Sequence, residues 1–259
     1  MPKSKTSQPT LVLANWKMNL TIAESQVLAR NLVRGLVSFK KQSFELGLCP
    51  SYPALPIVAK TLVGKKVCLG AQDVFWKPVG PYTGEVSPSV LRELGVKYVI
   101  VGHSERRQYL KETDAMVHQK VLAALAEGLT PVLCVGETFA ERQSGQKDLV
   151  VARQVAAALQ GVSLPKGSTL VVAYEPVWVI GSGQAVDPAE ARHTAQVLRQ
   201  SMVDVLGATM VDSQVRIIYG GSVDPGNIST FINQSLITGV LVGGASLEPK
   251  RFLALLRQI

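Results

Sequence analysis

Histidine is scarce in this 259-residue chain, and the three present, His103, His118 and His193, show no ligand spacing, which argues against a histidine-based metal cluster. Cysteine is equally scarce. Cys49, Cys68 and Cys134 are odd in number, widely spaced and set in apolar runs, a pattern that suits reduced, buried thiols better than a disulfide framework or a zinc site. No apolar stretch approaches the roughly 20 residues a membrane-spanning helix needs. The segment from Met1 to Thr10 is polar and lacks the apolar core of a secretory signal, so a soluble, cytoplasmic protein is expected, with no membrane partner. Lys and Arg exceed Asp and Glu by 27 to 19, giving a net charge of +8, but no basic run carries interleaved aromatics. Nucleic acid is therefore not the expected partner, and the charge suits a small anionic substrate. No glycine-rich turn is followed by Gly-Lys-Ser/Thr, which removes the P-loop.

What is present is apolar. Hydrophobic residues make up 47% and charged residues 18%, a balance that excludes disordered and fibrous classes and fits one large core. Short strand-like runs recur about every thirty residues: Thr10 to Ala14, Glu45 to Cys49, Lys66 to Gly70, Tyr98 to Val101, Pro131 to Val135, Leu170 to Ala173, Arg216 to Tyr219 and Gly239 to Val242. Helical patterns lie between them. Thr21 with Glu24, Ser87 with Pro88, Asp187-Pro188 with Glu190, and Asp224 with Pro225 read as helix starts, the third as a capping box. Ala191, Ala195, Leu198, Met202 and Val205 give the following helix one apolar face, which Gly207 ends.

Eight near-continuously apolar strands alternating with helices leave two α/β architectures, a closed (β/α)8 barrel or a doubly wound sheet. Polar residues follow strands one, four, six, seven and eight; a barrel gathers all of these on its C-terminal rim, whereas an open sheet would concentrate them at one crevice. The barrel is expected, as a single domain over 10–259 after a short polar tail over 1–9. Its rim would then hold Asn15 and Lys17 after strand one, His103 after strand four, and Glu175 after strand six. A carboxylate base, an imidazole donor and a fixed cation suit removal of a proton next to a carbonyl, where the developing enediolate needs hydrogen bonds and positive charge on its oxygens. Three glycine-rich turns follow strands on the same rim, at Gly181-Ser182-Gly183, Gly220-Gly221-Ser222 and Gly243-Gly244-Ala245-Ser246. They let backbone amides approach an anion and point to a phosphorylated ligand.

The segments Asn-Trp-Lys-Met-Asn (15–19), Gly-His-Ser-Glu-Arg-Arg (102–107), Tyr-Glu-Pro-Val-Trp (174–178) and Tyr-Gly-Gly-Ser-Val (219–223) resemble the triosephosphate isomerase family, from Thr10 to the C-terminus. That family is itself a worked case of a Glu base, a neutral His and a closing loop, so these roles are carried over with the resemblance. It implies a TIM barrel that interconverts dihydroxyacetone phosphate and D-glyceraldehyde 3-phosphate in glycolysis and gluconeogenesis, without metal or organic cofactor. By residue matching, Glu175 shuttles the proton, His103 polarises the carbonyl, Lys17 offsets negative charge and Asn15 contacts substrate oxygen. Gly181, Ser222, Gly243 and Gly244 grip the phosphate under a lid from Pro176 to Gly183. Glu105 is expected either near Lys17 or as an ordinary first-turn helix acid. Cys134 is read as packing. The long connection 72–87, carrying Phe75, Trp76 and Tyr82, is too apolar to lie in water, so it packs on its own barrel or on a partner; the resemblance implies the second, a homodimer in which Thr83 reaches the Asn15 and His103 region of a twin subunit.

The chain departs from the family pattern at Leu20, Asp73, Val179 and Ser182, the last two in the lid. The rival readings are another sugar-phosphate barrel, such as an epimerase or aldolase, and a catalytically idle barrel kept for binding. The first lacks a metal cluster or a strand-borne Schiff-base lysine. The second has no need of Glu175, His103 and Lys17 together.

Overall fold

The computed structural model describes residues 8–39, 42–181 and 183–259; the expected tail falls mostly, and Ser182 wholly, outside them. Eight parallel strands close in sequence order: β1 (Thr10–Asn15), β2 (Phe44–Cys49), β3 (Cys68–Ala71), β4 (Val96–Val101), β5 (Thr130–Val135), β6 (Leu170–Tyr174), β7 (Val215–Tyr219) and β8 (Ile237–Val242). The barrel, not the open sheet, is formed. Closure is through β1 and β8, with Leu13 beside Leu241.

Inner and outer side chains alternate along each strand. Leu11 and Leu13 of β1 join Ile100, Val132, Val171, Ala173 and Ile218 inside the barrel, while Val12 and Ala14 face outward into the larger core under the helices. Gly47 is required opposite Leu13, because a Cβ there would stand 2.6 Å from a Leu13 methyl. The N-terminal end of the barrel is plugged by charge. Glu45 accepts hydrogen bonds from Lys97 at 2.5 Å and Tyr98 at 2.6 Å, and Arg216 lies 3.4 Å away. Burial pushes the Glu45 carboxyl up, but the Lys97 and Tyr98 bonds outweigh it and hold the group below its ordinary range.

The helices are α1 (Ile22–Leu36), α2 (Leu55–Leu62), α3 (Pro88–Glu93), α4 (Ser104–Tyr109), α5 (Asp114–Ala126), α6 (Phe139–Gln143), α7 (Lys147–Leu159), α8 (Pro188–Leu206), α9 (Ala208–Gln214), α10 (Ile228–Ile232) and α11 (Pro249–Leu256). Thr21 and Glu24 form the expected capping box on α1. On α8 the box is absent: Asp187 accepts from the Ala189 amide at 2.7 Å, but Glu190 turns away to Arg142, bonding it at 2.9 Å through Oε2. A charge-assisted pair to another helix outcompetes the local bond. Asp224 does not start a helix either. Its Oδ1 accepts the Gly226 and Asn227 amides in a turn, and α10 begins only at Ile228. Among the described residues no helix is long and apolar enough to cross a membrane.

Candidate active site

Strand ends place the polar residues. Asn15 closes β1, and its Oδ1 accepts the Lys17 amide at 3.0 Å, bending the chain so that Lys17 takes a left-handed φ of 51°. Such a conformation is costly for a residue with a Cβ. Gln72, after β3, stabilises it by donating to the Lys17 and Cys49 carbonyls, both at 2.9 Å. The Lys17 ammonium meets Glu105 at 2.5 Å, as one of the two readings of Glu105 expects.

His103 caps α4. Its Nδ1 accepts the Glu105 amide at 3.2 Å, and since a backbone N–H only donates, a neutral ring must carry its proton on Nε2. That Nε2 lies 3.0 Å from Glu175 Oε1, at an angle unsuited to a hydrogen bond. The other oxygen, Oε2, accepts the Ser104 amide at 2.9 Å. Glu175 is only 1% exposed, so one carboxylate oxygen is tied down and the other is buried without a hydrogen bond. That oxygen is a buried acceptor with no hydrogen-bond partner among the described residues, and it borders the site's cavity.

Two glycines fix the base. A Cβ on Gly136 would fall 1.7 Å from the Glu175 carbonyl oxygen, and one on Gly220 would fall 2.9 Å from Glu175 Cγ. Beyond Glu175 the chain forms a 3-10 turn at Val177–Val179 and then bends at Gly181 and Gly183, both at φ 75°. Its root is held by Glu137. That carboxylate accepts Trp178 Nε1 at 2.8 Å and Tyr174 Oη at 3.2 Å, and the Glu137 carbonyl accepts the Val177 amide at 3.1 Å. Burial pushes the Glu137 carboxyl up. Farther along, Ser222 Oγ donates to the Val179 carbonyl at 2.9 Å. Glu137 and Gln72 were not foreseen; Glu137 follows β5 on the same rim as the others, and a second carboxylate just past a strand, beside Glu175, was the available signal.

Between these elements lies a cavity of about 270 Å3 lined by Asn15, Lys17, His103 and Glu175 and, on its other side, by Gly181, Ser222, Gly243 and Gly244. All eight sequence-expected side chains and glycine turns thus border one space. Asp224, Asn227 and Arg251 line it as well and were not anticipated. Cys134 is fully buried, with its thiol pushed well up by burial and by Glu175, which leaves it a packing group. Among the described residues no group of three or more His, Cys, Asp and Glu is arranged to hold a metal ion. Thr83 sits elsewhere, exposed on the 72–87 connection, where Phe75 stacks on Trp76 at 4.0 Å and leans on Tyr82 at 4.6 Å. Asp73, at its root, is buried against Lys120 at 2.7 Å and Arg106 at 2.8 Å. Leu20 is half-buried against the core.

Fold and rim together define a (β/α)8 barrel isomerase, with acid–base groups facing an anion-sized mouth. The chain belongs to the triosephosphate isomerase family, whose family model matches residues 10–259. It is 44% identical over 242 residues to the triosephosphate isomerase of Thermoanaerobacter sp. (strain X514), covering 93% of this chain and 96% of that one. It is 45% identical to that of Moorella thermoacetica over 245 residues, 95% and 96% of the two chains. With the Roseiflexus sp. (strain RS-1) enzyme it shares 45% over 245 residues, 94% of each.

Proposed function

We propose that this protein interconverts dihydroxyacetone phosphate and D-glyceraldehyde 3-phosphate through an enediol, as a cytoplasmic homodimer serving glycolysis and gluconeogenesis. The observation that carries this reading is the buried, unbonded Oε1 of Glu175 facing His103 Nε2 at 3.0 Å across a mouth that also holds Lys17. Substrate entering the mouth parts these two groups, and Glu175 then removes the proton from the carbon next to the carbonyl. His103 donates its Nε2 hydrogen bond to the carbonyl oxygen, and Lys17 offsets the charge that develops there. A hydroxyl proton passes between the two enediol oxygens by way of His103, and returning the carbon-bound proton to the neighbouring carbon completes the exchange of aldose and ketose. No electron leaves the substrate, so the step calls for no metal or organic cofactor. Asn15 positions Lys17 and contacts the substrate oxygen. The amides of Gly181, Ser222, Gly243 and Gly244 receive the phosphate, and the lid from Pro176 to Gly183 closes over it and excludes water.

One domain over 10–259 carries this machinery. The homodimer reading is supported by apolar groups near and on the 72–87 connection: Met18 is 94% exposed, Val79 86% and Tyr82 39%, an arrangement that a second copy would cover. Thr83 is then the residue that reaches the twin's Asn15 and His103. A cytoplasmic address fits three free thiols.

The test is isomerisation of D-glyceraldehyde 3-phosphate, with chelator present, beside Glu175→Ala. Native turnover with a loss of about 10³-fold or more in the variant is expected; equal rates, or none in the native protein, would reject the assignment. Light scattering is expected to give twice the chain mass, and a fully active monomer would refute the dimer.

A further inference from the structure

Apart from the catalytic mouth, a shallow open groove of about 640 Å3 lies between α1 and α2, and none of its lining residues borders the active-site cavity. Its floor is aliphatic, from the half-buried Val33 and Ile57, and its walls are four exposed cations: Arg30 and Arg34, one helical turn apart on α1, with Lys60 and Lys65 opposite. No acidic residue lines it. Among the described residues none of the four cations has an ion-pair or hydrogen-bond partner for its side chain; Lys66, Lys77, Arg153, Lys166, Arg192 and Lys250 are likewise unpaired, and what sets these four apart is that they line one recess. Arg34 and Lys60 lie in the last turns of their helices, where a cation offsets the negative end of the helix dipole. That accounts for one cation per helix, and not for four around one groove.

We propose that this groove is a docking site for an acidic amphipathic helix of a partner protein, one that lays an aliphatic stripe on Val33 and Ile57 and sets carboxylates against the four cations. Charge complementarity selects this occupant. A second copy of the chain using the same face would bring four cations against four. Single-stranded nucleic acid would need aromatic side chains to stack on, and the groove has none. A bare polyanion would satisfy the cations and leave the aliphatic floor in water. The lined stretch runs from Gln26 on α1 to Val37, the residue that caps its end, a length of about 16 Å at 1.5 Å per residue, which holds about three turns of a partner helix. Recognition of this kind reads anchors at helical spacing. Because the groove lies apart from the cavity, docking leaves the isomerase site accessible. The inference does not depend on the reaction assigned above.

The test uses the intact protein and a fluorescent helical peptide with a leucine stripe flanked by glutamates at i and i+4, beside a scrambled peptide of the same composition. Saturable binding of the patterned peptide is expected, weaker by about tenfold or more for the scramble and for Arg30→Gln/Arg34→Gln/Lys60→Gln/Lys65→Gln, and weakening as salt rises. Isomerase kinetics are expected to be unchanged in the variant, and the pair Arg30→Gln/Lys60→Gln serves if the fourfold variant does not fold. Equal binding by the scramble or by the folded variant overturns the proposal. So does binding of inorganic polyphosphate in this groove with no binding of the patterned peptide.

Discussion

Gly136→Ala is the sharpest probe of how the barrel holds its base. Gly136 is not in a left-handed conformation, so the substitution tests space alone. The added methyl would meet the Glu175 carbonyl oxygen at 1.7 Å and its carbonyl carbon at 2.6 Å, where ordinary contact begins at 3.4 Å. The ends of β5 and β6 must therefore part by roughly 1.7 Å, and neither side yields easily. Gln154 grips both the amide and the carbonyl of Gly136, at 2.8 and 3.2 Å, and the Glu175 amide donates to the Val135 carbonyl at 2.8 Å. A displacement of about 1 Å in a reacting group costs about 10²-fold in rate, whereas overpacking of this kind costs about 1–3 kcal/mol of stability. The expected result is kcat down about 10²-fold, KM changed much less because the phosphate-side glycines are untouched, and Tm lower by several degrees. Gly145→Ala is the control: its φ is 73° and nothing lies within 4 Å of the added carbon, so about 1 kcal/mol of backbone strain with native kcat is expected. Steady-state kinetics and thermal melts of the three proteins decide it. A folded Gly136→Ala with kcat within about threefold of native would refute the claim that packing against Gly136 sets the position of Glu175.

Burial pushes the Asp73 carboxyl up to about 6 against the pull of Lys120, while an unfolded Asp lies near 3.8. A raised folded value makes protonation favour the fold: that contribution is full below the unfolded value and is lost as pH rises through about 6. Asp73→Asn, which keeps the side chain neutral, is expected to gain in Tm relative to the native protein as pH rises from about 4 to about 6 and to hold that gain at higher pH, and a difference flat across that window would refute the shift. Val179, fully buried where the lid root packs, loses about 1.5 kcal/mol of burial in this arrangement when cut to Ala. Val179→Ala is expected to change kcat, through product release, more than the inhibition constant for inorganic phosphate; equal effects on both would count against a lid-specific role.

How far the sequence carries depends on whether a feature is local. Strand runs such as Leu170 to Ala173 are visible because residues covered on both faces stay apolar throughout, yet the same property hides which face is inner. Nothing in Leu11-Val12-Leu13-Ala14 says that the leucines enter the barrel; closure against β8 decides it. Rim residues were legible for a related reason. An apolar run that ends abruptly in Asn, His or Glu marks a strand's C-terminal end, and only a barrel brings those ends together. Glu137 escaped the same logic because Thr138 and Glu141 immediately after it form a capping box, so the segment reads as an ordinary helix start.

Non-local pairing defeats local grammar in both directions. Asp187, Pro188 and Glu190 have the spacing of a capping box, but Arg142, 48 residues from Glu190, offers the carboxylate a stronger partner. The same blindness applies to the cations of the α1–α2 groove. Along the chain, Arg30 and Arg34 are separated from Lys60 and Lys65 by a whole strand and two connections, and the +8 balance looks evenly spread. Packing of α1 beside α2 turns that spread into two facing pairs over an aliphatic floor. Repulsion among them is a standing cost in the free protein, small for exposed groups and screened by salt. An acidic helix laid along the groove would turn that repulsion into attraction.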